Sequence, residues 1–244
     1  MRKRVRLGLL TPSSNTALEP LTCRMLAGLP EVTAHFSRFK VTEIALTPNA
    51  LAQFDDAKIL EAASLLSDAK VDVIGWSGTS AGWLGFASDE FLCRRILDHT
   101  GVPATTSVLA LNELLQKTGR KSFGLVTPYT EDVQRRIIAN YEASGFHCIA
   151  ERHLGISTNF AFADVDEATL AALIREVAHF GQTRPQAIVT LCTNLWAAHL
   201  VGDLEAEIGM PIYDSVATVV WKALEIAGVE VNGPKGWGSL FGEH

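Results

Sequence analysis

The residue best suited to do chemistry in this chain is a cysteine at a strand end. Gln186-Ala-Ile-Val-Thr-Leu-Cys192-Thr193-Asn194-Leu-Trp196-Ala-Ala-His199 opens as a short apolar run with β-branched residues. That is the pattern of a buried parallel strand. The run then takes on the period of an amphipathic helix, which places Cys192 where strand gives way to helix. Helix N-termini carry unpaired N–H groups and a partial positive charge, which favour anions and lower a thiol pKa. In open α/β sheets, ligands collect at the carboxyl ends of strands. A buried structural role is the alternative for this Cys, and a common one. His199 lies a little short of two turns along the predicted helix, so an exposed helix histidine is a simpler reading than a Cys–His dyad.

A second stretch of the same kind follows the apolar run 71–76. Ser77-Gly78-Thr79-Ser80-Ala81-Gly82 is a turn of small residues. Such a turn lets backbone N–H groups approach an oxyanion closely. It could equally be a plain strand-to-helix connection.

The elements that must position these stretches can be read from periodicity and punctuation. Residues 5–10 form a predicted strand, and Ser13, Ser14 and Asn15 precede a predicted helix over 17–29. Capping is the ordinary role for Asn15 there. Alternation marks a strand over 32–39, and helical period runs over 50–69. A helix over 89–100 is closed by Gly101 and Pro103. Further on, strands are predicted at 122–127 and 147–152, with helices over 133–144, 167–180 and 216–227. Asn159 sits in the loop 154–166. The aromatic tail Trp237-Gly-Ser-Leu-Phe241 is expected to dock back on the body.

The chain also echoes itself. Leu9-Leu10-Thr11-Pro12 is matched by Leu125-Val126-Thr127-Pro128, and Gly78-Thr79-Ser80 by Cys192-Thr193-Asn194. Gly101-Val-Pro103-(x)3-Ser107 is matched by Gly209-Met-Pro211-(x)3-Ser215. The offsets, 116, 114 and 108 residues, drift in one direction, as a duplicated unit with small deletions would produce. The expected fold is therefore α/β: two pseudo-symmetric domains whose parallel sheets face a central cleft. One domain would comprise residues 1–115 plus 215–244, the other residues 116–214.

Bulk properties narrow the function classes. The chain has 244 residues, 48% apolar and 20% charged, as in a soluble globular protein. A formal charge of −6 with no concentrated basic face argues against nucleic acid as a partner. No apolar run is long enough to span a bilayer, and the basic start runs into Thr11-Pro12 too soon for a signal peptide. Cys23, Cys93, Cys148 and Cys192 are scattered, which suggests neither a zinc site nor a disulfide framework. The cytoplasm is the natural compartment, and a homo-oligomer is compatible with the composition.

On these residues the chain resembles the aspartate/glutamate racemase superfamily. Pro12-Ser-Ser-Asn15-Thr, Tyr129, Asn159 and Cys192-Thr-Asn-Leu195 are similar to maleate cis–trans isomerases. Gly78-Thr79-Ser80, Tyr129-(x)2-Asp132-Val133, Leu154-Gly-Ile156, Val165-Asp-Glu-Ala-Thr-Leu170 and Gly238-Ser-Leu-Phe241 resemble arylmalonate decarboxylase. The resemblance implies two pseudo-symmetric domains, a small dicarboxylate substrate and no metal or other cofactor. It also implies one cysteine from each half. Here the chain departs from the pattern, because Gly78 occupies the place of the first cysteine. Cys93 lies inside the following predicted helix and reads as core. A one-thiol pocket is similar to that of arylmalonate decarboxylase, in which a lone thiol protonates a carbanion.

Loss of CO2 from a malonate leaves an enediolate that needs preorganised donors. The resemblance implies that Thr79, Ser80, Tyr129, the Cys192–Thr193 backbone, Asn15 and Asn159 supply them, without arginine. Pro12, Val41, Ile44, Leu46, Ala81 and Trp83 are the expected pocket, and the glycine at 78 suggests space for a second thiol. Simpler roles stand beside these: Tyr129 as packing, Asn159 as a turn residue, and Trp83 and Trp196 as core or interface aromatics. Two-thiol isomerisation or racemisation of a small dicarboxylate is the alternative activity, and non-catalytic binding of a small acid a third.

Overall fold

All strand pairings within the sheets are parallel, and the strands fall into two sheets of four. The computed structural model describes residues 4–230 and 234–242. The first sheet holds β1 (Val5–Pro12), β2 (Val32–Phe39), β3 (Val73–Trp76) and β4 (Ala104–Thr106), in the order β2-β1-β3-β4. The second holds β5 (Ser122–Thr127), β6 (His147–His153), β7 (Ile188–Thr190) and β8 (Ile212–Asp214), in the order β6-β5-β7-β8. The two orders are the same with the strand number advanced by four, so the repeat seen in the sequence is a repeat of topology. Gly78-Thr79-Ser80 follows β3 and Cys192 follows β7, its equivalent.

Helices cover the sheets: α1 (Leu18–Leu26), α2 (Pro48–Leu51), α3 (Asp56–Asp68), α4 (Ala81–Leu84) and α5 (Phe86–Thr100). They continue with α6 (Ser107–Lys117), α7 (Glu131–Ala143), α8 (Glu167–Ala178), α9 (Val201–Ile208) and α10 (Ser215–Ile226). The two Gly-x-Pro motifs act alike. Gly101 (φ 71°) and Gly209 (φ 64°) close α5 and α9 in the left-handed conformation that glycine adopts cheaply. After each proline comes a three-residue strand whose last residue caps the next helix. Thr106 Oγ1 accepts from Leu109 N at 3.0 Å, and Asp214 Oδ1 from Val216 N at 2.8 Å.

Helix α10 is apolar nearly all round and buried on nearly all sides, as such a helix must be. It packs on α6 and β3 of the first half, and Thr218 Oγ1 donates to the Ser107 carbonyl at 3.0 Å. On the other side α4 and α7 join the halves: Asn140 Nδ2 donates to the Gly82 carbonyl at 2.8 Å. The tail folds back as expected, with Trp237, Leu240 and Phe241 buried and Ser239 N donating to Glu205 at 2.6 Å. The helix expected over 50–69 is broken. Asp55 caps a new helix there, accepting from Ala57 N at 3.0 Å, so α2 and a 3-10 turn (Ala52–Phe54) stand apart from α3. Among the described residues no helix is long and apolar enough to cross a membrane.

Candidate active site

The carboxyl ends of β1, β3, β5 and β7 converge on one cleft between the halves, as parallel sheets place their ligand sites. About 280 Å³ of non-atom space lies between these residues, part of it open to solvent. Pro12, Val41, Ile44, Phe54, Trp76 and Trp83 make its apolar side. Gly78, Thr79, Ser80, Tyr129, Asn159, Cys192 and Thr193 make its polar side, and among the described residues no charged side chain lines it.

Tyr129 and Thr79 meet across the halves, their hydroxyls 2.7 Å apart. The phenol ring is fixed edge-on to Trp83 (centroids 5.4 Å) and Phe162 (5.5 Å). Burial first, and the Cys192 thiol beside it second, hold the Tyr129 hydroxyl well above its usual pKa, so it stays a donor. The loops after β3 and β7 also bring backbone donors. Among the described residues, the N–H groups of Thr79, Ser80, Cys192 and Thr193 find no acceptor within the chain. A buried N–H without a partner is rare in a folded protein. Both pairs stand on loops that line the cleft from facing halves, where free donors of this kind can receive an anion's oxygens.

Cys192 differs from the sequence expectation in one respect. After β7 the chain makes turns through residues 193–197 and a 3-10 turn (Ala198–Leu200), and α9 starts only at Val201. The thiol therefore stands at no helix N-terminus and gains none of its field. Burial pushes its pKa up to about 12; hydrogen bonds from Asn194 N–H (3.4 Å) and Tyr129 pull weakly the other way. At neutral pH Cys192 is a thiol holding a proton.

The Thr and Asn that follow it brace the halves. Thr193 Oγ1 donates to the Ser77 carbonyl (3.1 Å) and accepts from Asn15 Nδ2 (3.3 Å). Asn194 Oδ1 accepts from the N–H groups of Thr16 (2.9 Å) and Ala17 (3.2 Å), and its Nδ2 donates to the Asn159 carbonyl (2.6 Å). Asn15 Oδ1 caps the start of α1 through Ala17 N (3.1 Å) and Leu18 N (2.9 Å). Asn15 thus takes the ordinary capping role and does not line the cleft. Asn159 does line it, with Nδ2 donating to Ser14 Oγ at 2.7 Å.

Three further expectations need correction. Leu46 is 36% exposed and lies outside the cleft, because the loop carries Val41 and Ile44 inward and turns away after them. Ala81 is buried as the first residue of α4 and does not reach the cleft. The space beside Gly78 is filled: a Cβ there would fall inside the Trp76 indole, against Cζ2, Cε2 and Cη2. Phe54 and Trp76 were the pocket residues that pattern reading missed. Phe54 sits at the unforeseen helix break, and Trp76 reads as an ordinary buried strand residue. His199 pairs with Glu167 at 2.8 Å rather than with Cys192. Cys93 lies on α5 away from the cleft, its thiol pushed up to about 12 by burial and then by Asp89. Among the described residues no group of His, Cys, Asp or Glu is placed to hold a metal ion.

Two duplicated parallel sheets around a cleft with facing donor loops and a buried thiol define a pseudo-symmetric α/β enzyme architecture. The chain belongs to the arylmalonate decarboxylase family, whose model matches residues 7–241. It is 30% identical over 172 residues to arylmalonate decarboxylase of Bordetella bronchiseptica, covering 70% of this chain and 71% of the relative. It is 27% identical over 241 residues to maleate isomerase of Pseudomonas putida, covering 94% of each. The solved maleate isomerase Iso from Pseudomonas putida S16 superposes with a TM-score of 0.88 at 26% identity, over 98% of both chains.

Proposed function

We propose that the chain is a cofactor-independent carbon–carbon lyase that decarboxylates a substituted malonate or similar dicarboxylate. The observation that carries this reading is the asymmetry of the cleft: one buried, protonated thiol faces a position where a side chain has no room. One substrate carboxylate would rest on Thr79, Ser80, Tyr129 and the free N–H groups after β3 and β7. The other would lie against Val41, Ile44, Phe54 and Trp76, which cannot solvate its charge. Breaking the carbon–carbon bond releases CO2 and leaves its electron pair in an enediolate. The donors hold that charge, which is greater in the transition state than in the ground state. Cys192 then gives its proton to one face of the carbon. The thiolate left behind is met by the Asn194 N–H and the Tyr129 hydroxyl and regains a proton from solvent. A thiol whose pKa is raised suits this role, since it must start protonated.

Maleate isomerisation is the second reading, favoured by Asn159 in the cleft and by the longer match to a maleate isomerase. Isomerases of that kind resemble this chain except at Gly78, where their adding nucleophile would stand. Incubation with phenylmalonate, maleate and aspartate, following CO2, fumarate and optical rotation, separates the readings. Release of CO2 supports the lyase; robust formation of fumarate overturns it.

A further inference from the structure

Gly78 is a glycine for an unusual reason. Its φ lies outside the left-handed region, so backbone conformation does not demand it. Sterics do: the six-membered ring of Trp76 occupies the volume a Cβ would need. That ring cannot easily retreat. Trp76 ends β3, is 1% exposed, and rests on Phe39 of β2 with centroids 5.0 Å apart and planes tilted by 47°. Phe39 in turn is paired in register with Pro12, another wall of the cleft.

We propose that Trp76 is a specificity-determining residue. By filling the space from which a side chain at position 78 would emerge, it keeps the first half of the cleft free of a thiol and leaves all proton handling to Cys192. This rests on the single-thiol reading above. With thiols from both halves, a thiolate at position 78 could take the proton α to a carboxylate while Cys192 gives its own to the other face. The product is the opposite enantiomer, and the two sulfurs have exchanged protonation states, ready for the reverse reaction. Trp76 removes the room for the first of these groups. Replacing Gly78 alone therefore does not install two-thiol chemistry, and relief at position 76 must come with it.

Four full-length proteins test this: wild type, Gly78→Cys, Trp76→Leu and the double variant. Gly78→Cys alone is expected to lower Tm by about 2–12 °C, the range for overpacking a core in a chain of this size. In the Trp76→Leu background the same replacement is expected to cost clearly less. Equal costs in both backgrounds, or no cost in the wild-type background, would overturn the steric claim. If Gly78→Cys fails to fold and the double variant folds, the claim stands; if both fail, it falls. Chemistry is read as racemisation of one enantiomer of 2-phenylpropionate in D2O with deuterium uptake. The double variant is expected to exceed wild type and both single variants by at least about tenfold. Coupled Tm values without racemisation would overturn Trp76 as a determinant of the chemistry. The Tm comparison uses no substrate, so its failure is distinct from a failure of the lyase reading, which wild-type maleate turnover would reveal.

Discussion

Replacing Tyr129 by phenylalanine removes one oxygen and little else. The ring keeps its edge-on contacts with Trp83 and Phe162, so the apolar side of the cleft stays in place. Thr79 loses its 2.7 Å partner while remaining buried, which costs about 1–3 kcal/mol of stability. That corresponds to a Tm lower by roughly 2–12 °C. The catalytic loss is separate. The hydroxyl is kept protonated by burial beside the Cys192 thiol, and in the proposed reaction it would serve both the enediolate and the thiolate. Loss of one oxyanion donor lowers turnover by about 10²–10³-fold. The fall should appear in kcat more than in KM, because the charge it meets develops in the transition state. The assay is CO2 release from phenylmalonate with Tm recorded on the same sample. A kcat within about threefold of wild type, with the Tm loss present, would make Tyr129 a packing residue and refute its donor role.

Cys192→Ser replaces the proposed proton donor with a much weaker acid, and turnover should fall by about 10²–10⁴-fold, whereas Cys93→Ser on α5 should matter little; equal effects would mean that both cysteines are structural. Asn194→Ala deletes three hydrogen bonds, two of which cross to Thr16 and Ala17 of the first half, and should cost about 2–4 kcal/mol in denaturant unfolding; a cost near zero would refute the brace. Burial raises the Asp89 carboxyl to about 7, against a weaker pull from its Thr106 hydrogen bond. Its folded pKa lies above the unfolded value of 3.8, so its stabilising effect is complete below that value and is lost as pH rises towards about 7. Over that window stability should fall by up to about 1.4 kcal/mol per pH unit, and Asp89→Asn should flatten the slope; an unchanged slope would refute the assignment.

The fold was legible because its signals are local or repeated. Apolar runs, Gly-x-Pro punctuation and the matched Thr-Pro ends of β1 and β5 each mark an element, and their common order marks the duplication. Strands β4 and β8 are too short for alternation to reveal, and only the repeated Gly-x-Pro hints at them. Around the thiol, local reasoning failed in an instructive way. Residues 193–200 have helical composition, yet Thr193 and Asn194 spend their polar groups on Asn15, Ser77, Thr16, Ala17 and Asn159, far away in sequence. Those bonds hold the segment out of a helix and deprive Cys192 of a helix dipole. The same limit hid Trp76. A missing side chain at Gly78 reads as space, and only three dimensions show whose ring occupies it.

The stereochemistry of decarboxylation in D2O tests most directly the claim that one thiol delivers one proton to one face. A malonate with two different substituents is converted by the wild type, and the product is examined for deuterium content and enantiomeric composition. A single enantiomer carrying one deuterium at the α-carbon is expected, formed without racemisation of the product on longer incubation. Racemic product from the wild type, or an intact malonate beside rapid conversion of maleate to fumarate, would contradict it.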